Sequence, residues 1–168
     1  QKFFWETKSS SSVDFVKKKG VLSYRKENAR WGWYDYGEVE KDGIYIGEIK
    51  NMKPNGYGKF TYGKGRWQGD KYEGMWKDGK FHGKGKVEFK LSGEKHIGIW
   101  KNGIGMSGKS ISSLPYSYEG EWDKDHIGLP NGKGIRRLHS GIIEEGIFHF
   151  GKLIRGKKRY KDGSEVIG

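Results

Sequence analysis

Residues 72–85 read YEGMWKDGKFHGKG, and this stretch decides the fold. In an extended strand, side chains two residues apart share a face. Tyr72, Gly74 and Trp76 therefore point one way, and the charged side chains between and beside them point the other way. Asp78–Gly79 is typical of a tight two-residue hairpin turn. The stretch predicts strand, turn and strand, with rings and glycines on one face.

The same pattern recurs along the chain. Further copies of its first half are Tyr45–Ile49, His96–Trp100, Tyr118–Trp122 and the weaker Glu144–Phe148. A Gly-x-Gly pair follows at Gly56, Gly83 and Gly132, and Asn102–Gly103 is a second strong turn signal. A large ring can lie flat over a glycine of the neighbouring strand. We therefore predict an all-β fold, a single-layer twisted antiparallel meander of consecutive hairpins over residues 41–168.

Residues 1–40 differ from the rest of the chain. They hold a serine run at 9–12, a lysine run at 17–19 and an aromatic patch at 31–36. Because a meander leaves its first strand open to pairing, a cap is physically expected there. We predict that residues 1–40 are an irregular N-terminal extension that caps the meander or anchors it in an assembly.

The composition excludes several classes of protein. The 168 residues include 29 glycines and no cysteine, which rules out disulfides and thiolate metal sites. No apolar run approaches the roughly 18 residues that span a bilayer, so no transmembrane segment is predicted. Lys and Arg number 33 against 21 Asp and Glu, a net charge of +12. This excess favours an acidic partner.

The pattern Tyr-x-Gly-x-Trp-x-x-Gly-x-x-x-Gly-x-Gly resembles the MORN repeat. Residues 72–85 match every defining position, whereas the first copy departs at Ile49 and Met52, and Ser107 and Lys109 stand in the Gly-x-Gly places of the third. The resemblance covers about residues 45–160. It implies consecutive MORN β-hairpins and a non-enzymatic scaffold or adaptor for protein–protein interaction. Peripheral attachment to an acidic membrane surface is the second expected role.

Three other motifs lack the residues or the structural context that their chemistry needs. Gly103–Ser110 matches the phosphate-binding P-loop letter for letter, but no helix fits after it. Asp123–Gly134 begins like a calcium-binding loop and ends on glycine instead of the bidentate glutamate. The five histidines form no metal-binding pair four residues apart. We predict no catalytic residues, no cofactor and no metal, and hence no enzyme.

The first candidate site is an aromatic groove. A single layer leaves part of the ring face open, where a helix or an extended segment of a protein partner can bind. The rings also hold the sheet together in this reading. The predicted groove residues are Tyr45, Tyr62, Tyr72, Trp76, Phe89, Trp100, Tyr118 and Trp122.

The second candidate site is a basic patch near the C-terminus. It would bind anionic lipid headgroups or an acidic protein surface. Nucleic acid is an unlikely partner, because the rings are committed to the sheet. The patch residues are Arg136, Arg137, Lys152, Arg155, Lys157, Lys158, Arg159 and Lys161.

Two alternatives to a free scaffold remain open. Decayed repeats favour a constitutive accessory subunit of a large assembly, such as a ciliary or axonemal complex or an organellar membrane complex. Gly32–Tyr34 is similar to the Gly-Trp clusters of carbohydrate and cell-wall binding repeats. The expected location is cytoplasmic or organellar, peripheral to a membrane or the cytoskeleton.

Overall fold

The computed structural model describes residues 3–4, 18–111 and 115–168, and all their regular elements are β-strands. The strands are β1 (Phe3–Phe4), β2 (Lys18–Glu27), β3 (Arg30–Tyr34), β4 (Tyr36–Gly37), β5 (Gly43–Lys50), β6 (Lys53–Thr61), β7 (Lys71–Lys77), β8 (Lys80–Glu88), β9 (Lys95–Lys101), β10 (Ile104–Ile111), β11 (Tyr116–Trp122), β12 (Pro130–Leu138), β13 (Ile143–His149), β14 (Lys152–Arg159) and β15 (Glu165–Ile167).

Thirteen of these strands form one open antiparallel sheet, which confirms the predicted meander. From β5 to β15 each strand pairs with its neighbours in sequence, and the short strands β1 and β4 pair separately. The sequence order changes at the N-terminal end, where β2 lies between β3 and β5. The open edges of the sheet are therefore β3 and β15.

Residues 18–40 of the predicted N-terminal extension are more regular than their composition suggested, whereas the serine run at 9–12 lies outside the described residues. Their β2–β3 hairpin belongs to the main sheet, and its turn at Asn28–Ala29 has positive φ at both residues. Gly20, Leu22 and Tyr24 repeat the two-residue spacing of Gly58, Phe60 and Tyr62. β2 is thus built like the second strand of a repeat, without the Tyr-x-Gly-x-Trp strand that marks the others in sequence.

An unbroken row of glycines crosses the sheet. Each glycine in this glycine ladder lies directly opposite the next one on the neighbouring strand. The ladder consists of Gly20, Gly47, Gly58, Gly74, Gly85, Gly98, Gly108, Gly120, Gly134, Gly146 and Gly156. The register corrects the third copy, because Gly108, and not Lys109, takes the place opposite Gly98.

Each hairpin within a repeat carries a register shift beside the ladder, whereas the pairings between successive repeats carry none. At three of these bulges the first glycine of Gly-x-Gly has positive φ: Gly56 at 107°, Gly83 at 62° and Gly132 at 109°. Bulges bend strands and increase the twist of a sheet. The Gly-x-Gly pair therefore has two tasks, since its first glycine forms the bulge and its second belongs to the ladder.

The sheet coils around its ring face. Trp33 on β3 lies 5.7 Å from Trp76 on β7, although β2, β5 and β6 stand between their strands. In a flat sheet four strand spacings would separate them by about 19 Å. The ring face is therefore concave, and the opposite side, which we call the outer face, is convex.

Candidate functional site

The aromatic groove residues come together on the ring face, and most of them are buried. Tyr45 and Tyr72 are 0% exposed, and Trp100 is 1% exposed. Trp76, Tyr118 and Trp122 are buried as well, while Tyr62 and Phe89 are half-buried. Coiling of the sheet closes the ring face over itself. Six of the eight predicted residues thus form the core, and only the two half-buried rings reach the surface.

Three tyrosines explain how the core is held. The rings of Tyr45, Tyr72 and Tyr118 lie over ladder glycines, where a Cβ atom would clash with the ring. Each hydroxyl donates a hydrogen bond to the carbonyl three residues later, at 2.7, 2.8 and 2.9 Å respectively. Burial raises the pKa of all three, that of Tyr118 to about 12. The tyrosines are structural hydrogen-bond donors rather than acid–base groups.

Two repeats place another residue at this tyrosine position. His96 is 1% exposed, and its Nδ1 lies 2.9 Å from the Ser110 hydroxyl. Burial lowers its pKa to about 4, so its imidazole is neutral at pH 7. Glu144, also buried, takes the position in the last repeat. The position is therefore filled by a ring, a neutral imidazole or a carboxylate.

The structure divides the basic patch between the two faces. Arg136 and Lys158 point to the ring face and flank Glu144, with Arg136 Nε and Lys158 Nζ at 2.6 and 2.8 Å from its carboxylate. Burial opposes ionisation of Glu144, but hydrogen bonds from Lys158 and Arg136 outweigh it and lower the pKa of this carboxyl. Both cations are thus ion-paired with a buried carboxylate, although the Lys158 side chain remains 45% exposed.

The other patch residues are more accessible. Arg137, Arg155, Lys157 and Arg159 alternate with the ladder positions and lie on the outer face, while Lys152 and Lys161 flank turns. Lys157 and Arg159 have carboxylate partners at 3.6 and 2.6 Å. Among the residues that the structure describes, Arg137 and Arg155 have no ion pair. The outer face of β12 and β14 thus keeps a smaller cationic surface than predicted.

A different groove opens at the N-terminal end of the ring face. It measures about 450 Å³ and lies between the β2–β3 hairpin and the loop 62–70. We call it the aromatic–basic groove. Its rings are Tyr24, Trp31, Phe60, Tyr62 and Trp67, and its cations are Lys26, Lys41, Lys64 and Arg66.

The aromatic–basic groove displays two tryptophans to solvent. Trp31 is 62% exposed and Trp67 is 49% exposed. Tyr24 supports Trp31 by stacking at 5.3 Å, and the Arg66 guanidinium lies 4.8 Å from the centroid of the Trp67 ring. Exposed tryptophans of this kind are typical of binding hot spots. In the sequence, the signal for this groove is Trp67 close to Lys64 and Arg66, a cluster that neither predicted site includes.

The charge of this groove is positive. Lys41 is paired with Glu38 at 2.8 Å, and the one carboxylate in the lining, Asp42, lies 3.8 Å from Arg25. Within the described part of the chain, Lys26, Lys64 and Arg66 have no carboxylate partner. Three cations beside two exposed indoles suit a ligand that combines negative charge with apolar or aromatic groups.

The motifs set aside in the sequence have structural explanations. Residues 104–111 form β10, a strand between β9 and β11, which is not the loop and helix of a P-loop. Asp123 is buried and accepts hydrogen bonds from the Asp125 amide and the Asn131 side chain, so it closes the turn before β12. No group of His, Asp and Glu in the described residues has a metal-binding arrangement. Trp33, of the carbohydrate-like cluster, packs against Tyr45 and Phe60.

A coiled sheet of successive hairpins, with tyrosines lying over a glycine ladder, defines a β-hairpin repeat module. Its segments 45–66, 72–90 and 118–142 match the MORN repeat family. The chain therefore carries MORN repeats, a non-catalytic repeat type found in membrane and protein-interaction modules. Within the part of the chain that the structure describes, no helix is long and apolar enough to cross a bilayer.

The chain is also similar to Alsin of three mammals. The rat protein is 28% identical, with 66% of this chain and 8% of the relative covered. The human and mouse proteins show the same identity and coverage. The chain thus spans less than a tenth of the length of these relatives.

Proposed function

We propose that this chain is a non-enzymatic interaction scaffold, whose aromatic–basic groove binds an acidic segment of a protein partner. One observation carries the proposal. Trp31 and Trp67 are widely exposed beside three cations, Lys26, Lys64 and Arg66, that have no carboxylate partner among the described residues. Most of the tryptophans described are buried or half-buried against the sheet, so two exposed indoles in one groove at one end favour a surface kept for binding.

The chemistry of the groove favours an extended acidic segment that carries aromatic or aliphatic side chains. Burial of an indole ring supplies the apolar part of the binding free energy. The three unpaired cations add charge-assisted hydrogen bonds and faster association at low salt. A second groove of about 240 Å³, lined by Trp33, Tyr62 and Phe81 among others, continues along the ring face. Tyr62 belongs to both grooves, so it brings the predicted aromatic groove into the proposal.

The test uses a fluorescent synthetic peptide of alternating Asp, Glu and Phe. We expect saturable binding, measured by anisotropy, that weakens at least about tenfold in Trp31→Ala/Trp67→Ala and in Lys64→Glu/Arg66→Glu. The matched controls are Leu91→Ala, which removes an apolar side chain that is 94% exposed, and Lys152→Glu/Lys161→Glu. Circular dichroism verifies folding. Equal binding by parent and groove variants would exclude the groove.

A second candidate function is attachment to an anionic membrane. Arg137 and Arg155 favour it, because they lie on the convex outer face without carboxylate partners among the described residues. A basic residue near an anionic leaflet contributes about 1 kcal/mol. We expect flotation with vesicles of phosphatidylserine and phosphatidylcholine, reduced by salt and in Arg137→Ser/Arg155→Ser. Flotation unchanged in that variant would remove the patch from the account.

The wider setting follows from the same proposal. A scaffold that binds an acidic protein segment and an anionic surface would work at the periphery of a membrane or the cytoskeleton. An accessory subunit of a larger assembly would use the same groove. Native mass in a gentle cell extract, before and after a salt wash, separates a constitutive subunit from a peripheral scaffold.

A further inference from the structure

The outer face of the four central strands has an ordered charge pattern. On each strand, the two residues beside the ladder glycine point to this face. We call the eight residues the central outer patch. They are Lys84 and Lys86 on β8, Ile97 and Ile99 on β9, Ser107 and Lys109 on β10, and Glu119 and Glu121 on β11. A basic strand and an acidic strand thus enclose an apolar strand and a mostly polar one.

No part of the chain that the structure describes covers the central outer patch. Ile97 and Ile99 are 46% and 43% exposed, side by side on β9. In the described part of the chain, neither Lys84 nor Glu119 has an ion-pair partner. The Glu121 carboxylate accepts one hydrogen bond, from the Lys133 amide at 3.2 Å. Lys86 lies 3.9 Å from Glu73, so among the described residues the patch offers apolar area together with unpaired charge of both signs at Lys84 and Glu119.

We propose that a second copy of this chain packs on the central outer patch. The two-fold axis runs parallel to the strands, between β9 and β10. Such an axis places β8 of one copy against β11 of the other. Residues that pair across the four strands form one row, and each row of one copy faces the same row of the other. Lys86 then faces Glu119 of the second copy, and Lys84 faces Glu121 of the second copy. The symmetry doubles both pairs.

The apolar residues fit the same arrangement. Ile99 faces Ser107 of the second copy, and Ile97 faces the aliphatic stem of Lys109 of the second copy. Long lysine stems cover apolar surface while the ammonium stays in water. Among the strands next to the patch, Lys59 on β6 lies towards Glu145 on β13 of the second copy, while Glu73 on β7 lies towards Ile135 on β12.

Other occupants fit less well. A uniformly acidic partner meets the β11 carboxylates, and a uniformly basic one meets the β8 lysines. A two-fold axis perpendicular to the strands would place each strand against itself, lysine on lysine. Only a surface with both signs in reverse order matches the patch, and a second copy presents that surface. Because the outer face is convex, the contact is small, which predicts a weak and reversible dimer.

The first experiment measures the mass of the parent chain. We expect sedimentation velocity from about 1 to about 200 µM chain to show a shift from one to two chains. At about 500 mM NaCl the dissociation constant rises at least about fivefold over its value at about 50 mM, because screening weakens the ion pairs. A single-chain mass throughout this range at low salt would overturn the proposal.

A charge exchange then identifies the surface. Lys84→Glu/Lys86→Glu and Glu119→Lys/Glu121→Lys should each dimerise at least about tenfold more weakly than the parent. Mixed in equal amounts, the two variants should form a heterodimer, because the reversed pairs face each other again. The control Lys152→Glu/Lys161→Glu changes the net charge as the first variant does, outside the patch, and should not weaken the dimer.

The outcomes are separable. Undiminished dimers in both reversed variants, or a mixture that stays monomeric, would overturn the assignment. Near-ultraviolet circular dichroism verifies that each variant keeps its packed rings, which lie on the opposite face. The patch and the aromatic–basic groove are on different faces, so Trp31→Ala/Trp67→Ala should dimerise like the parent. Loss of peptide binding and loss of dimerisation therefore report on different proposals.

Discussion

The second hairpin, β7–β8, and the last full hairpin, β13–β14, share a backbone plan but not a core. In the second hairpin Tyr72 stacks on Phe81 at 3.8 Å and contacts Trp76 at 5.2 Å. In the last hairpin Glu144 takes the place of the tyrosine, and two cations bind it. Both hairpins keep the ladder glycine and the bulge. The backbone pattern thus sets the fold, while the group above the ladder varies.

The comparison also shows where a ring and where an ion-paired carboxylate can lie above the glycine ladder. Rings need neighbours on both sides, and the central hairpins supply them. Beside the last hairpin, the Arg136 guanidinium of β12 lies 5.4 Å from the ring centroid of Tyr116 and 5.2 Å from that of Phe148. Its outer neighbour is the short strand β15, which leaves Lys158 45% exposed. The buried carboxylate can remain charged there because two cations bind it.

Removal of a central ring should have the largest effect. Trp76→Ala deletes a buried indole that contacts Tyr45, Tyr72 and Phe81, and it should reduce the free energy of unfolding by about 4 kcal/mol. Urea titration followed by circular dichroism measures the loss. Trp31→Ala, at an exposed indole, is the control and should cost much less. Similar losses in both would contradict the assignment of Trp76 to the core.

Removal of the carboxylate in the last hairpin should rank next. Glu144→Ala leaves Arg136 half-buried without its ion pair, and should cost about 3 kcal/mol. The double variant Glu144→Tyr/Arg136→Phe, which copies Tyr72 and its partner Phe60 on the preceding strand, should recover part of this loss. The same urea titration applies. A loss below about 1 kcal/mol in Glu144→Ala would mean that the ion pairs do not hold this hairpin.

Acid should destabilise the third repeat hairpin, β9–β10, through His96. Burial lowers its pKa to about 4, so the folded chain resists a proton that the unfolded chain binds at its ordinary pKa of 6.5. The free energy of unfolding therefore falls as the pH drops from 6.5 towards 4, by about 2 kcal/mol at pH 5.

His96→Phe tests this assignment, because it removes the titrating group and keeps a ring. Unfolding free energies at pH 7 and pH 5 are compared for the parent and the variant. Glu94, whose pKa is raised by burial and whose carboxylate lies 3.4 Å from His96, is checked with Glu94→Gln. An unchanged pH dependence in His96→Phe would assign the effect to other groups.

The smallest effect should come from the exposed edge. Arg159 donates a hydrogen bond to Glu165 at 2.6 Å, but its side chain is 50% exposed. Surface ion pairs of this kind contribute about 0.5 kcal/mol or less. Arg159→Ala should therefore shift the urea midpoint only slightly, and 0.5 M NaCl should give the parent a similar shift. A loss comparable to that of Glu144→Ala would show that β15 matters more than its exposure indicates.

Local sequence patterns predicted much of the fold. The alternation of side chains along a strand predicted that Tyr72 and Trp76 lie on the ring face, and both are buried. Asp78–Gly79 and Asn102–Gly103 form the predicted tight turns, with positive φ at all four residues. These features depend on neighbouring residues, which is why a single sequence reveals them.

Features that depend on bulge length, on the curvature of the sheet or on contacts across several strands could not be predicted from local patterns. The place of Gly108 in the ladder was not predicted, because the hairpin β9–β10 has a shorter bulge. The shorter bulge moves its ladder glycine by one residue relative to the Gly-x-Gly pattern. Burial of the ring face follows from coiling over many strands, and parity alone does not reveal curvature. The division of the basic patch has a similar origin, since Glu144 binds Arg136 and Lys158 across two strand pairings.

The order of strands at the N-terminal end affects how the chain acquires its structure. From β5 onwards each strand pairs with its neighbour in sequence, so each step closes a short loop, and short loops favour fast folding. Within the 13-stranded sheet, β2 must wait for β5, its partner beyond β3 and β4. During synthesis from the N-terminus, this closure would come first, and each later hairpin would then dock on a finished edge. The array can thus fold in step with translation.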